Sequence, residues 1–170
     1  MAWTTPTRYP NSAEQANNED FLNVNVIDNL VDHETRLLLA ETAWTTWTPT
    51  LSGVTIGNGT VQAYYRKYGT TVNIAFGITL GSTSAITGDI QVTLPFSAAA
   101  APGEQGLAVF YNDFGNATYP GVGIVASGIV YLRAINAAST YAQVANCSST
   151  VPFTWNATDQ IRASGAYFSA

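Results

Sequence analysis

Between Val72 and Leu80 the chain changes character at every step. Val72, Ile74, Phe76, Ile78 and Leu80 fall on one side of an extended backbone, and Asn73, Ala75, Gly77 and Thr79 on the other. A two-residue period of this kind marks a strand with one face in a core. Ile90, Val92 and Leu94 repeat it and stop at Pro95. Thr60 to Lys67, Gly106 to Tyr111, Gly121 to Ala126, Gly128 to Ile135 and Gln160 to Phe168 read as further short strands. Val54 to Ile56 and Thr60 to Lys67 flank Gly57-Asn58-Gly59, which predicts a hairpin closed by an Asn-Gly turn. Tyr68-Gly69-Thr70 predicts a second turn. About eight or nine short strands at even spacing predict a mainly β, antiparallel sandwich or barrel. That head spans residues 43–170.

Ahead of Trp44 the period is different. Glu19 to Glu41 contain no Pro or Gly, and Leu22, Val26, Leu30, His33, Leu37 and Ala40 fall at steps of four and three. This is a narrow stripe of heptad character. Asn17 or Asn18 can cap the start, with Glu19 and Asp20 well placed against the helix dipole. The pattern predicts one α-helix over 19–42 that associates with copies of itself through Leu22, Val26, Leu30, His33 and Leu37. A register moved by one residue puts Glu34 inward in place of His33. Residues 1–18 carry Pro6, Pro10 and a polar mixture, which predicts an extended anchoring arm. Trp3 and Tyr9 are its candidate anchors, because aromatic side chains seat well in a partner's pockets.

Composition agrees with a β head. Hydrophobic residues make up 46% of the 170, and charged residues only 10%. Thr, Ser and Asn therefore supply the polar surface, and abundant Thr, Val, Tyr and Phe favour sheets. The acidic balance belongs to the N-terminal segment. Glu14, Glu19, Asp20, Asp28, Asp32, Glu34 and Glu41 face only Arg8 and Arg36 there, whereas Asp89, Glu104, Asp113 and Asp159 balance Arg66, Lys67, Arg133 and Arg162 later. Neither part has the basic stripe that binds phosphate backbones, so nucleic acid is not an expected partner. No apolar run approaches the ~20 residues that span a bilayer, and no membrane insertion is expected. Met-Ala-Trp-Thr-Thr-Pro lacks the basic and apolar regions of a secretory signal, which suggests synthesis in a cytoplasm.

The candidate chemistry is sparse. Residues 43–170 hold no His, one Cys and four carboxylates, which leaves no Ser-His or Cys-His nucleophile pair and no His/Cys zinc cluster within them. Catalytic residues, metal and cofactor are all expected to be absent. A carboxylate pair such as Asp89 with Asp113 or Asp159 is the one route left to glycoside cleavage; the plainer reading has these acids capping turns. Cys147 reads as a small buried hydrophobe. Asn58, Asn116, Asn146 and Asn156 stand in glycosylation sequons that a Ser- and Thr-rich chain produces by chance. The best candidate for a surface binding loop is Tyr111, Asn112, Asp113, Phe114 and Tyr119, where aromatic faces alternate with short polar side chains. Against it stands a strand edge that packs Tyr and Phe into the core. Trp44, Trp47 and Trp155 read as packing residues at the ends of the head.

Particular phrases also bear on function. Trp47-Thr48-Pro49-Thr50-Leu51, Gly57-Asn58-Gly59-Thr60 and Tyr64-Tyr65-Arg66-Lys67-Tyr68-Gly69 resemble, in order and spacing, heads of phage minor tail and tail-fibre proteins. So do Leu80-Gly81-Ser82-Thr83-Ser84, Leu94-Pro95, and Phe153-Thr154-Trp155 with Asp159 and Gly165-Ala166-Tyr167. Asn25-Val26-Ile27-Asp28-Asn29-Leu30 looks like the helical piece ahead of such heads. The resemblance implies a homotrimer of jelly-roll-like heads on the virion surface, bound to other virion proteins. It implies no fixed chemistry. On a tail the head would adhere to host-surface glycan. A capsid decoration protein, a free carbohydrate-binding module and a glycan depolymerase are the alternatives.

Overall fold

The computed structural model describes residues 43–100, 103, 105–138 and 140–170. The expected arm and helix, with Trp3, Tyr9, Leu22, Val26, Leu30, His33 and Leu37, lie outside the described residues. Within them are ten strands and no helix: β1 Thr45–Thr46, β2 Leu51–Thr55, β3 Thr60–Tyr68, β4 Thr71–Thr79, β5 Ala85–Thr93, β6 Gln105–Asp113, β7 Ala117–Ala126, β8 Ile129–Asn136, β9 Gln143–Asn146 and β10 Gln160–Phe168. The fold is mainly β, and every pairing is antiparallel. The strands form one sheet in the order β1-β3-β4-β10-β6-β7-β8-β5-β2, with β9 added to β8. The last strand thus sits between β4 and β6.

The ends of this order come back together. Tyr65 on β3 meets Phe96, just past β5, edge to face with ring centroids 5.3 Å apart. The Trp47 backbone N–H donates to the Ala63 carbonyl on β3 at 3.1 Å, while its indole N–H donates to the Thr93 carbonyl of β5 at 3.2 Å. One residue therefore joins two strands that stand near opposite ends of the ladder. The sheet curls into a half-barrel, with a seam between β2 and β3 where a cavity of about 360 Å³ lies among Trp47, Leu51, Val54, Ile56 and Val61.

Alternation explains what fills the interior. Val72, Ile74, Phe76 and Ile78 of β4 are buried, as are Ile90 and Val92 of β5, Leu107 and Val109 of β6, Val130 and Leu132 of β8, and Ile161 of β10. Each such side chain contributes about 1.5–3 kcal/mol when fully removed from water. Two aromatic clusters complete the packing: Trp47 with Tyr65 and Phe76, and Trp155 with Tyr111 and Phe153. Trp44 departs from the packing role expected of it. It is exposed, and the Arg66 guanidinium lies 5.6 Å from its ring centre.

The expected β2–β3 hairpin does not form. β2 pairs with β5, and β3 pairs with β4 and β1. The Asn-Gly turn is present, but its side chain is engaged elsewhere. Asn58 Nδ2 donates to Ser82 Oγ at 3.0 Å, and Asn58 Oδ1 accepts from the Thr83 N–H at 2.9 Å. The turn carries the chain across the seam and is tied to the β4–β5 loop. Gly53 adds to the divergence. It holds a positive φ of 73° at a register shift in β2, and a side chain there would overlap the Asp89 carbonyl, so the bulge needs glycine.

Candidate ligand-binding trough

Four adjacent strands set the geometry of the outer face. The register aligns Gln62 of β3, Gly77 of β4, Arg162 of β10 and Phe110 of β6 in one row across the sheet. Tyr64, Ala75, Ser164 and Ala108 form the row on one side, and Thr60, Thr79, Gln160 and Asn112 the row on the other. All these positions are out of phase with the core residues, so their side chains project outward. The two middle strands carry small groups, Gly77, Ala75 and Ser164, while Tyr64 and Phe110 stand on the flanking strands and are 38% and 50% exposed. Low floor and raised aromatic walls leave a trough of about 450 Å³. Three strand spacings separate the Gln62 and Phe110 strands, about 14 Å.

Arg162 is held in place. Its Nε and Nη2 both donate to Gln160 Oε1, at 3.0 and 2.7 Å, which fixes the plane of the guanidinium through a neutral partner. Further along β3, Arg66 faces outward with its guanidinium 4.7 Å from the Tyr68 ring centre and 5.6 Å from that of Trp44. Its Nε is buried without a hydrogen-bond partner among the described residues. The single ion pair among those residues, Arg133 with Asp89 at 2.6 Å, belongs to β8 and β5 elsewhere on the sheet.

The residues expected to form a surface binding loop separate. Tyr111 is a core residue, 0% exposed, because it shares the inward phase of Leu107 and Val109; its place in a surface site is withdrawn. The Cys147 thiol lies 3.3 Å from its hydroxyl. Burial raises the Tyr111 hydroxyl far above the phenol range, and burial likewise pushes the Cys147 thiol up, so that thiol is the inert packing group its sequence suggested. Tyr119 is half-buried against Phe153, with ring centroids 5.2 Å apart. Asn112 accepts from the Thr118 hydroxyl at 3.3 Å, and Asp113 Oδ1 accepts from Asn116 Nδ2 at 2.9 Å. Phe114, at the β6–β7 turn, is 60% exposed. Only Asn112 adjoins the trough, through the Gln160 row.

Asp159 is 2% exposed, and its two oxygens accept from the Phe114 N–H at 3.0 Å and the Asn156 N–H at 2.6 Å. It caps turns as the sequence suggested. Among the described residues no group of three or more His, Cys, Asp or Glu is placed to hold a metal.

Gln62, Tyr64, Gly77, Phe110, Gln160 and Arg162 were not singled out from the sequence. Two signals pointed to them: Phe110 is a large apolar residue in the outward phase of its strand, and Gly77 an empty position in the outward phase of the clearest one. No family model, curated protein or solved structure matches the chain.

Proposed function

We propose that the protein is a structural component of a bacteriophage virion surface: a homotrimer anchored through residues 1–42 whose β head adheres to host-surface glycan, as a tail-fibre or minor tail protein. The trough carries this reading. Sugars bind where aromatic faces stand beside planar polar groups on a rigid support, and here Tyr64 and Phe110 flank Gln62, Gln160 and Arg162 on four paired strands. A capsid decoration protein needs a clamp but no ligand trough on its head, so the trough favours adhesion. The finer architecture, a jelly-roll-like sandwich behind an arm and a stalk helix, belongs to the same proposal and is supported by a sheet whose ends meet around one core.

Gly77→Leu tests it. A Cβ at Gly77 meets nothing nearer than the Ile161 carbonyl at 4.0 Å, so leucine fills the trough while leaving the sheet undisturbed. The full-length wild type should show three times the 18.0 kDa chain mass by light scattering and bind host cell-wall polysaccharide in pull-down and calorimetry. The variant should keep its mass and melting transition and lose at least about tenfold in affinity, as a blocked subsite does. Equal binding by Gly77→Leu moves the site elsewhere; a monomeric mass removes the trimer.

A further inference from the structure

We propose that the glycan taken by the trough is anionic, a linear chain whose carboxylate or phosphate groups are held by Arg162 and Arg66; this rests on the trough being the glycan site. The outer face of β3, β4, β10 and β6 carries these two guanidiniums and, among the described residues, no carboxylate. The described acids are all committed away from it. Asp89 is paired with Arg133 on β5 and β8, Asp113 serves the β6–β7 turn, and Asp159 is buried on two backbone N–H groups.

Each arginine is preset, and among the described residues neither has a carboxylate partner. Gln160 orients Arg162 while removing none of its charge, and among the described residues Nη1 makes no hydrogen bond that would keep it from a ligand. Arg66 lies against the Trp44 and Tyr68 rings, its guanidinium 5.6 and 4.7 Å from their centres, and its buried Nε has no acceptor among the described residues. A planar guanidinium held on one edge or face presents its remaining donors as a fork that matches carboxylate and phosphate oxygens. The two positions are four residues apart along the strands and two strands apart across them, or about 13 Å by about 10 Å. An anion at one end cannot reach the other, so both are used only by an extended polymer that repeats its charge. Tyr64 and Ala75 lie between the two, an aromatic face and a flat floor on which a sugar ring can rest.

The test compares polygalacturonate, a carboxylate polymer, poly(glycerol phosphate), a phosphodiester polymer, and neutral dextran, each titrated into the full chain by calorimetry at low and raised salt. At least one anionic polymer should bind, more weakly as salt rises, and dextran should not; which one binds identifies the source of the charge. Arg162→Gln should lower that affinity about tenfold, and the double variant with Arg66→Gln further, while Arg162→Lys recovers part of it. If Gly77→Leu abolishes binding but Arg162→Gln does not, and dextran competes equally, the trough holds a neutral glycan and this inference falls while the adhesion reading stands. Salt-sensitive binding that survives both Gly77→Leu and the double arginine variant overturns it as well. If no polymer and no host polysaccharide binds, both fall together.

Discussion

The two faces of β4 obey different rules. Inward, Val72, Ile74, Phe76 and Ile78 are large, apolar and buried; outward, Asn73, Ala75, Gly77 and Thr79 are small and half-exposed. β4 pairs on both sides, so its outer face is central in the sheet, where β-branched and aromatic side chains normally add cross-strand packing. Alanine and glycine forgo that stabilisation. The inner face is thus organised for stability, and the outer one for a low floor between taller neighbours. Substitutions on the two faces should separate accordingly.

The largest effect is expected inside. Ile74→Ala removes a side chain that is buried between Tyr65 of β3 and Gly165 of β10 by register. Gly165 opposite has no side chain, but Leu107 packs over it and can relax into part of the space, so the loss should lie within about 2–5 kcal/mol. Urea denaturation of Ile74→Ala beside Gly77→Leu measures the contrast directly. If the outer variant unfolds as early as the inner one, the outer face is packed against something in the assembled protein and is no ligand surface.

Much of the inner face was legible from the sequence, because a period of two needs no knowledge of partners. The same period shows Tyr111 in phase with Leu107 and Val109, a signal outweighed by the polar residues that follow it. Pairing was less legible. Gly57-Asn58-Gly59 announces a turn but not which strands it joins, and the Asn58 contacts to Ser82 and Thr83 that carry β2 away from β3 cross 24 and 25 residues. The trough was hidden for the same reason. Gln62, Gly77, Arg162 and Phe110 become neighbours only because the final strand inserts between β4 and β6, a placement that depends on the whole sheet.

An intermediate effect is expected where a polar side chain does structural work. Asp159→Ala should cost about 1–3 kcal/mol, since it leaves two N–H groups, those of Phe114 and Asn156, without acceptors at a part-buried site. Asp159→Asn keeps one acceptor oxygen and should recover part of the loss in the same denaturation series. A variant as stable as the wild type would mean that water replaces the carboxylate, and that the β6–β7 turn is held by the Asp113–Asn116 contacts alone.

The smallest effect is the most informative about the outer face. Arg162 is exposed, and among the described residues its side chain makes no ion pair and bonds only to Gln160 two positions before it on the same strand. A contact so local links no separate parts of the fold, and holding two long side chains together offsets much of what it contributes. Arg162→Gln should therefore change unfolding free energy by no more than about 0.5 kcal/mol, the range of surface substitutions without a buried partner. The measurement is the shift in urea midpoint at unchanged slope, beside Ile74→Ala. A loss above about 1 kcal/mol would make the Gln160–Arg162 pair a structural brace. The guanidinium would then owe its position to folding, and the contrast between the faces would narrow to Gly77 and its aromatic walls. A null result leaves an oriented cation that stability does not require, standing beside a floor that stability does not favour.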